Sequence, residues 1–238
     1  MHKLVSIIIV NWNGKKETLA FLESLGCTDY PNYEIIVVDN ASTDGSVYAI
    51  KKRFPKVRIA RSRKNLGYGP GLNFGMRRSK AEYVVGLVND MITFQPGWLS
   101  EAVRVAETDE KIGMVASIWV RSDDHSRIQQ RVHLKLGGVS EKMMELFGGE
   151  FFGFGMIERG QKIPDYLPDM MDIRWGNGLM RRKIIKNIGM YDEKLFMNYE
   201  GNDLGYRLRK AGYRVVLATK SRLQHEGGVS IRKMEEVF

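Results

Sequence analysis

The stretch MNYEGNDLGYRLRKAGYRVVL, Met197 to Leu217, carries two acids three residues apart, Glu200 and Asp203, with Gly201 and Asn202 between them. A carboxylate can take a proton from a hydroxyl group. It can also simply open a helix, where the dipole favours negative charge by about 0.3–1 kcal/mol. The helical account covers most of the segment. Leu204, Leu208 and Ala211 form an apolar stripe, Asp203 and Arg207 are spaced for an i,i+4 pair, and Gly212 ends the helix before a strand, YRVVLA. Glu200 and Gly201 have no job in that account.

Other polar residues sit where chemistry is expected. Asp39 ends the apolar run YEIIVVD, and a carboxylate there needs a partner such as a base N–H or a ribose hydroxyl. The Ser42–Ser46 stretch after it reads as a turn and helix cap. Asn89 and Asp90 end another apolar run, VVGLVND; an aspartate there suits a divalent cation, which in turn binds diphosphate. His225 follows a strand-like segment, and a neutral imidazole suits a Mn-like metal, provided Asp90 is close. In RKNLGYGPGLNFGM the glycines permit close backbone approach to a ligand, and the charges of Arg63 and Lys64 suit a phosphate. That segment matches neither a P-loop nor the dinucleotide fingerprint.

These residues need elements to hold them. LVSIIIV, YEIIVVD, VRIAR, EYVVGLV and IGMVASIWV read as strands. The first, second and fourth have the continuous apolar character of strands buried on both faces. Between them KKETLAFLESL, DGSVYAIKKRF, GPGLNFGMRRS and GWLSEAVRVAET read as helices. Alternating strands and helices predict an α/β fold with a doubly wound, mostly parallel sheet of Rossmann-like type. Such sheets bind ligands at the carboxyl ends of their strands, so NWNG, DNASTDG and ND are expected to gather at one edge. Arg121 to Met171 has weak periodicity and is expected to form a smaller subregion.

The bulk numbers narrow the function classes. The chain has 238 residues, 43% apolar and 27% charged, which suits one globular domain. Cys27 is the only cysteine, so no internal disulfide forms and a reducing compartment fits. The first apolar run reads as a buried strand and is too short for a signal-peptide core, so a cytoplasmic protein is expected. A net charge of +9 favours anionic partners: nucleic acid, phosphorylated molecules or an acidic membrane face. No zinc, helix-turn-helix or RNA-binding signature is present, and nucleic acid is not expected. The basic tract KKRFPKVRIARSRK reads as a solvated face or a peripheral membrane contact at the inner face.

Taken together, VSIIIVNWNG, EIIVVDNASTDGS, NLGYGPGLNFGM, LVND with PGWL, WGNGLMRRKIIKNIGMYDEKLFMNYEGNDLGYRLRKAGY and HEGGVS resemble, in order, the family 2 inverting glycosyltransferases of GT-A fold, the rhamnosyltransferase-like group above all. The resemblance implies a nucleotide-diphosphate sugar donor, a divalent cation (Mn or Mg) and a glycan or lipid-linked hydroxyl acceptor. It implies one domain over 1–238, with a nucleotide-sugar half at 1–117 and an acceptor half at 118–238. It places Asn11 and Asp39 at the nucleoside, and Asn65, Gly67 and Asn73 along the donor pocket. Asn89 and Asp90 match the end of the acidic metal motif, with His225 joining the metal. Trp175, Gly176 and Asn177 match the segment under sugar and acceptor.

Two positions depart from that pattern. Val88 stands where the metal motif has a polar residue. Gly201 stands where relatives carry the usual base, an aspartate after the glutamate. The base is then expected to be Glu200, with Asp203 as helix-end support or acceptor contact. The same departures fit an alternative, an impaired transferase-like module that binds nucleotide sugar or glycan. A nucleotidyltransferase would need a Gly-rich basic loop near the first strand, which NWNGKKE resembles poorly.

Overall fold

The computed structural model describes residues 2–121, 132–134, 166–167, 170–173 and 178–225. Trp175, Gly176 and Asn177, and most of the expected smaller subregion, lie outside them. The first strands are the apolar runs: β1 (Val5–Asn11), β2 (Tyr33–Asp39), β3 (Arg58–Arg61), β4 (Tyr83–Val88) and β6 (Ile112–Arg121), with a two-residue β5 (Met91–Ile92) just after β4. Between them run α1 (Lys15–Ser24), α2 (Ser46–Arg53), α3 (Tyr68–Met76) and α4 (Trp98–Ala106). β7 (Val132–Leu134), β8 (Tyr166–Leu167), β9 (Met170–Ile173) and β10 (Gly178–Arg181) follow, then α5 (Arg182–Asn187), α6 (Glu200–Lys210) and β11 (Arg214–His225).

Among the described residues the main sheet has the order β3-β2-β1-β4-β10-β6-β11-β5, with β8 on β11, while β7 and β9 form a separate pair. β1 to β4 are parallel neighbours in the order β3-β2-β1-β4, and β6 is parallel to β11. β10 runs antiparallel to both β4 and β6. The doubly wound, mostly parallel sheet expected from the alternation of elements is present. The reversed β10 and the two-residue β5 are too short to show a period. The division expected at 117/118 falls inside β6, which runs unbroken across it.

Side chains alternate across the sheet and build a core on each face. On one face Ile7, Ile9, Val37, Val85 and Leu87 pack against Phe21 and Leu22 of α1, Ile50 of α2 and Trp98 and Leu99 of α4. On the other, Ile8, Val10, Ile36, Val38 and Val84 meet Leu72 and Met76 of α3, Ile185 of α5 and Leu204 and Leu208 of α6. α3 lies so close to the sheet that a side chain at Gly75 would meet Ile8 Cγ2 at 2.5 Å, inside van der Waals contact. The expected stripe of α6 holds at Leu204 and Leu208, but Ala211 is exposed: it caps the helix, and the buried face is completed by Gly201 and Gly205. Gly212 follows with φ +83°, and Tyr213 N–H closes the end on the Leu208 carbonyl at 3.0 Å. No helix among the described residues is long and apolar enough to cross a membrane.

Candidate functional site

Register brings the polar strand endings together. Asn11 pairs with Asp39 across β1 and β2, and Val10 pairs with Val88, so Asn89 begins where Asn11 ends. Asn11, Asp39, Asn89 and Asp90 are all buried at this edge.

Asn11 is the hub, and its amide is fully used inside the protein. Its Nδ2 donates to Ser42 Oγ at 3.1 Å, Ser46 Oγ at 3.0 Å and, more weakly, Asp39 Oδ1 at 3.4 Å. Its Oδ1 accepts from Gly14 N–H at 3.1 Å, Thr18 Oγ1 at 2.8 Å and Asn89 Nδ2 at 3.2 Å. Asn89 also donates to Thr18 Oγ1 at 3.3 Å. Both asparagines therefore tie the three strand-end loops together. Gly14 completes the arrangement, since a Cβ there would fall 1.9 Å from Asn89 Nδ2.

Asp39 and its neighbour Asn40 differ. Asp39 Oδ2 is buried with no hydrogen-bond donor: Arg61 Nε lies 3.1 Å away, an ion pair without hydrogen-bond alignment. Asn40 donates through Nδ2 to the Gly67 carbonyl at 2.9 Å, while its Oδ1 is also buried and unpartnered. Buried polar atoms are almost always satisfied, so these two acceptors, on consecutive residues at a strand end, could take hydrogen bonds from ligand donors. Asn40 and Arg61 join Asp39 here. The sequence signal for Asn40 was its place in the same polar ending; for Arg61 there was none, because only the β2–β3 pairing, Asp39 opposite Arg61, brings it in.

The glycine-rich segment holds the start of α3 against a later loop. Asn65 Oδ1 accepts from Gly67 N–H at 3.0 Å, and Gly67 has φ +87°, a conformation that favours glycine. A side chain there would also strike the Phe196 carbonyl at 2.1 Å, beside the Tyr68 N–H to Phe196 carbonyl bond of 2.9 Å. Asn73 clips the same loop, donating to the Tyr191 carbonyl at 2.8 Å and accepting from Tyr191 N–H at 3.0 Å. The Asn73 side chain is thus committed to this junction, and Asn65 Oδ1 to the turn that enters it; the junction in turn positions Glu200.

Glu200 is the first residue of α6, follows Asn198 and Tyr199, both with positive φ, and is 2% exposed. Its Cβ and Cγ pack over Gly69 in the first turn of α3, and its Oε2 has no hydrogen-bond partner. Burial raises its pKa above the ordinary carboxylate value, opposed only by its own backbone N–H. A buried, unpaired carboxylate with a raised pKa is the pattern of a general base. Asp203, one turn on, is tied through one oxygen: Oδ2 pairs with Arg207 Nε at 2.9 Å and with its Nη2, and the same guanidinium donates to the Ile188 and Met190 carbonyls at 2.8 and 2.7 Å. Asp203→Asn is therefore expected to lower unfolding stability by up to about 1 kcal/mol, as partly exposed pairs do, and to leave most turnover intact. Denaturant unfolding and a transfer assay check this; collapse of turnover with unchanged stability would move the catalytic role to Asp203.

Asp90 and His225 meet although 134 positions separate them in the chain. β11 pairs antiparallel with β5, setting His225 opposite Met91, and His225 Nε2 lies 3.4 Å from Asp90 Oδ1. The imidazole packs against Trp119, ring centroids 4.8 Å apart. An oxygen and a nitrogen donor converging at a buried strand edge fit a divalent cation as two of its ligands. Among the described residues no third His, Cys, Asp or Glu joins them. Val88, beside them, has no donor to offer.

With this geometry in hand, the chain can be placed among known proteins. It matches the family model described as "Glycosyl transferase family 2" over residues 6–189. It is 26% identical over 242 residues to an N-acetylglucosaminyl-diphospho-decaprenol L-rhamnosyltransferase of Mycobacterium tuberculosis, covering 94% of this chain and 76% of that one. It is 25% identical to the O-antigen biosynthesis protein RfbC of Myxococcus xanthus, over 94% of this chain and 17% of that one. Among solved structures it is similar to the mannosyltransferase PcManGT of Pyrobaculum calidifontis in complex with GDP-Man and Mn2+, with TM-score 0.67, 18% identity and coverage of 96% and 58% of the two chains. S. aureus TarS 1-349 in complex with UDP gives TM-score 0.62, 17% identity and coverage of 98% and 62%. The chain thus spans about three-fifths of those two solved chains. Its sheet is the GT-A arrangement, and the chain belongs to glycosyl transferase family 2.

Proposed function

We propose that this chain transfers a sugar from a nucleotide-diphosphate donor to a hydroxyl of a glycan or lipid-linked acceptor, with inversion at the anomeric carbon and help from Mn or Mg. The observation that carries the reading is the buried Glu200 carboxylate, open on Oε2, at the start of α6 and packed on the first turn of α3. Named relatives and neighbours support the substrate classes: one relative is named for a diphospho-decaprenol acceptor, and two neighbours hold GDP-Man or UDP. With a lipid-linked acceptor the reaction belongs at the inner face of the membrane, in the cytoplasm.

In this reading Asp39 and Asn40 accept hydrogen bonds from the nucleoside through their open oxygens. Asp90 and His225 would hold the cation, which when bound neutralises charge on the leaving diphosphate. Glu200 takes the proton of the acceptor hydroxyl. The acceptor oxygen bonds to the anomeric carbon as the bond to the diphosphate oxygen breaks, and the diphosphate leaves with that electron pair. One displacement suffices, with no covalent intermediate on the protein.

A nucleotide-sugar screen with and without Mn or Mg tests the proposal. Binding and turnover of at least one donor, strengthened by metal, are expected, and Asp90→Asn should weaken the metal response by at least about tenfold. Failure of every nucleotide sugar to bind with either metal would defeat the reading. Binding without turnover for any acceptor would support the impaired module suggested by Gly201 instead.

A further inference from the structure

Among the described residues several cations gather in one place. Between the end of β3 and the outer side of α3 lies a groove of about 600 Å³, lined by Arg61, Arg63, Lys64, Arg77 and Arg78. Among the described residues Glu193 is the only acid on its wall. That acid is already neutralised: Arg77 Nη1 lies 2.9 Å from its carboxylate, and hydrogen bonds from Arg77 and Asn73 hold its pKa below the ordinary value. Of the strand-end residues only Arg61 lines the groove; Asn11, Asp39, Asp90, Glu200 and His225 do not.

The cations fall into two groups. Arg78 is preset: its guanidinium stacks on the Phe74 ring at 3.5 Å and Nη1 donates to the Phe74 carbonyl at 2.9 Å. Arg77 and Arg61 are engaged by Glu193 and Asp39. Arg63 and Lys64 are exposed and have no side-chain partner among the described residues. Leu66, Phe74 and the buried Pro70 add apolar wall, beside the hydroxyl of Ser62. With Arg61 and Arg77 paired, the charges of Arg63, Lys64 and Arg78 are left facing this concave space without an acid of their own. Planar guanidinium groups match phosphate oxygens, and the apolar wall suits a hydrocarbon substituent.

We infer that this groove is a second anion site, which binds a phosphate ester carrying an apolar group, through Arg63, Lys64 and Arg78. Two sources present that chemistry, a soluble phosphate ester and the headgroup of an anionic lipid. The inference does not depend on the proposed transfer reaction, because the groove shares with the strand-end site only Arg61, which the test leaves in place.

The test uses the full chain. Titration with hexyl phosphate is expected to show binding, tighter than for inorganic phosphate. The double variant Arg63→Ala/Lys64→Ala should weaken hexyl phosphate by at least about tenfold, as expected for loss of charged hydrogen bonds, without changing the thermal midpoint. Asp90→Asn, which touches no residue of the groove, should leave this binding intact. Co-sedimentation with phosphatidylglycerol-containing vesicles, against phosphatidylcholine alone, separates the sources: binding to the former that the double variant loses assigns a lipid headgroup, and hexyl phosphate binding without it assigns a soluble ester. Absence of binding to both probes, or binding that survives the double variant, would overturn the site.

Discussion

Replacing Glu200 by glutamine is expected to lower kcat by about 10²–10⁴-fold, the usual contribution of a positioned general base, while making the protein more stable. The first effect follows from removing the one buried, unpaired acid at the start of α6. The second follows from linkage. Burial raises the pKa of Glu200 in the folded chain, so between the ordinary glutamate value of 4.5 and that raised value the folded state holds a proton that the unfolded state has lost. Stability from this group is therefore full at low pH and falls as pH rises through that window. Above it the buried charge is a standing cost, which glutamine removes. A gain on the order of 1 kcal/mol, or ~2–4 °C in thermal midpoint, is expected at neutral pH. Activity runs the other way with pH: as the base must be ionised, kcat should climb through the same raised pKa and level off above it. Transfer assays over pH, with calorimetry of both proteins, check the pair of effects. A glutamine variant with normal turnover would remove Glu200 from catalysis.

The second large effect concerns Asn11. Its alanine variant is expected to lose about 3 kcal/mol or more of stability without any ligand present, because Thr18, Gly14, Asn89, Ser42 and Ser46 each lose a buried partner. In a domain of this size that is ~6–12 °C in thermal midpoint. Asn65→Ala, which removes one local bond to Gly67, makes the comparison and should cost much less. A thermal midpoint unchanged in Asn11→Ala, together with weaker nucleotide binding, would return Asn11 to direct contact with the ligand.

Asn11 also shows where sequence reading stops. Its place at a strand end was legible, because a polar residue closing an apolar β-branched run has few other meanings. The same logic reached Asp39 and Asn89–Asp90, and with them the sheet edge where a ligand sits. What residue type cannot convey is how a side chain spends its hydrogen bonds. Asn11 and Asn40 are the same amino acid in equivalent endings, yet one is saturated by three loops and the other keeps an open oxygen. The meeting of Asp90 with His225 was conditional in the sequence, since it rests on two residues of β5 pairing with the far end of β11. The ion pair within α6 was legible because helical spacing alone sets it. That same pair then separates Asp203 from Glu200, which spacing by itself could not do.

β10 has a consequence for how the molecule is made. It sits between β4 and β6, yet the chain lays it down after both. As synthesis proceeds from the N terminus, β4 and β6 exist before the strand that joins them, each with a row of unsatisfied backbone groups facing the missing neighbour. Closing that gap demands contacts between residues remote in sequence, a high contact order that slows folding. The centre of this sheet is finished late, and during that interval β4 keeps one edge open and β6, whose other neighbour β11 comes later still, keeps two, all open to pairing with other chains.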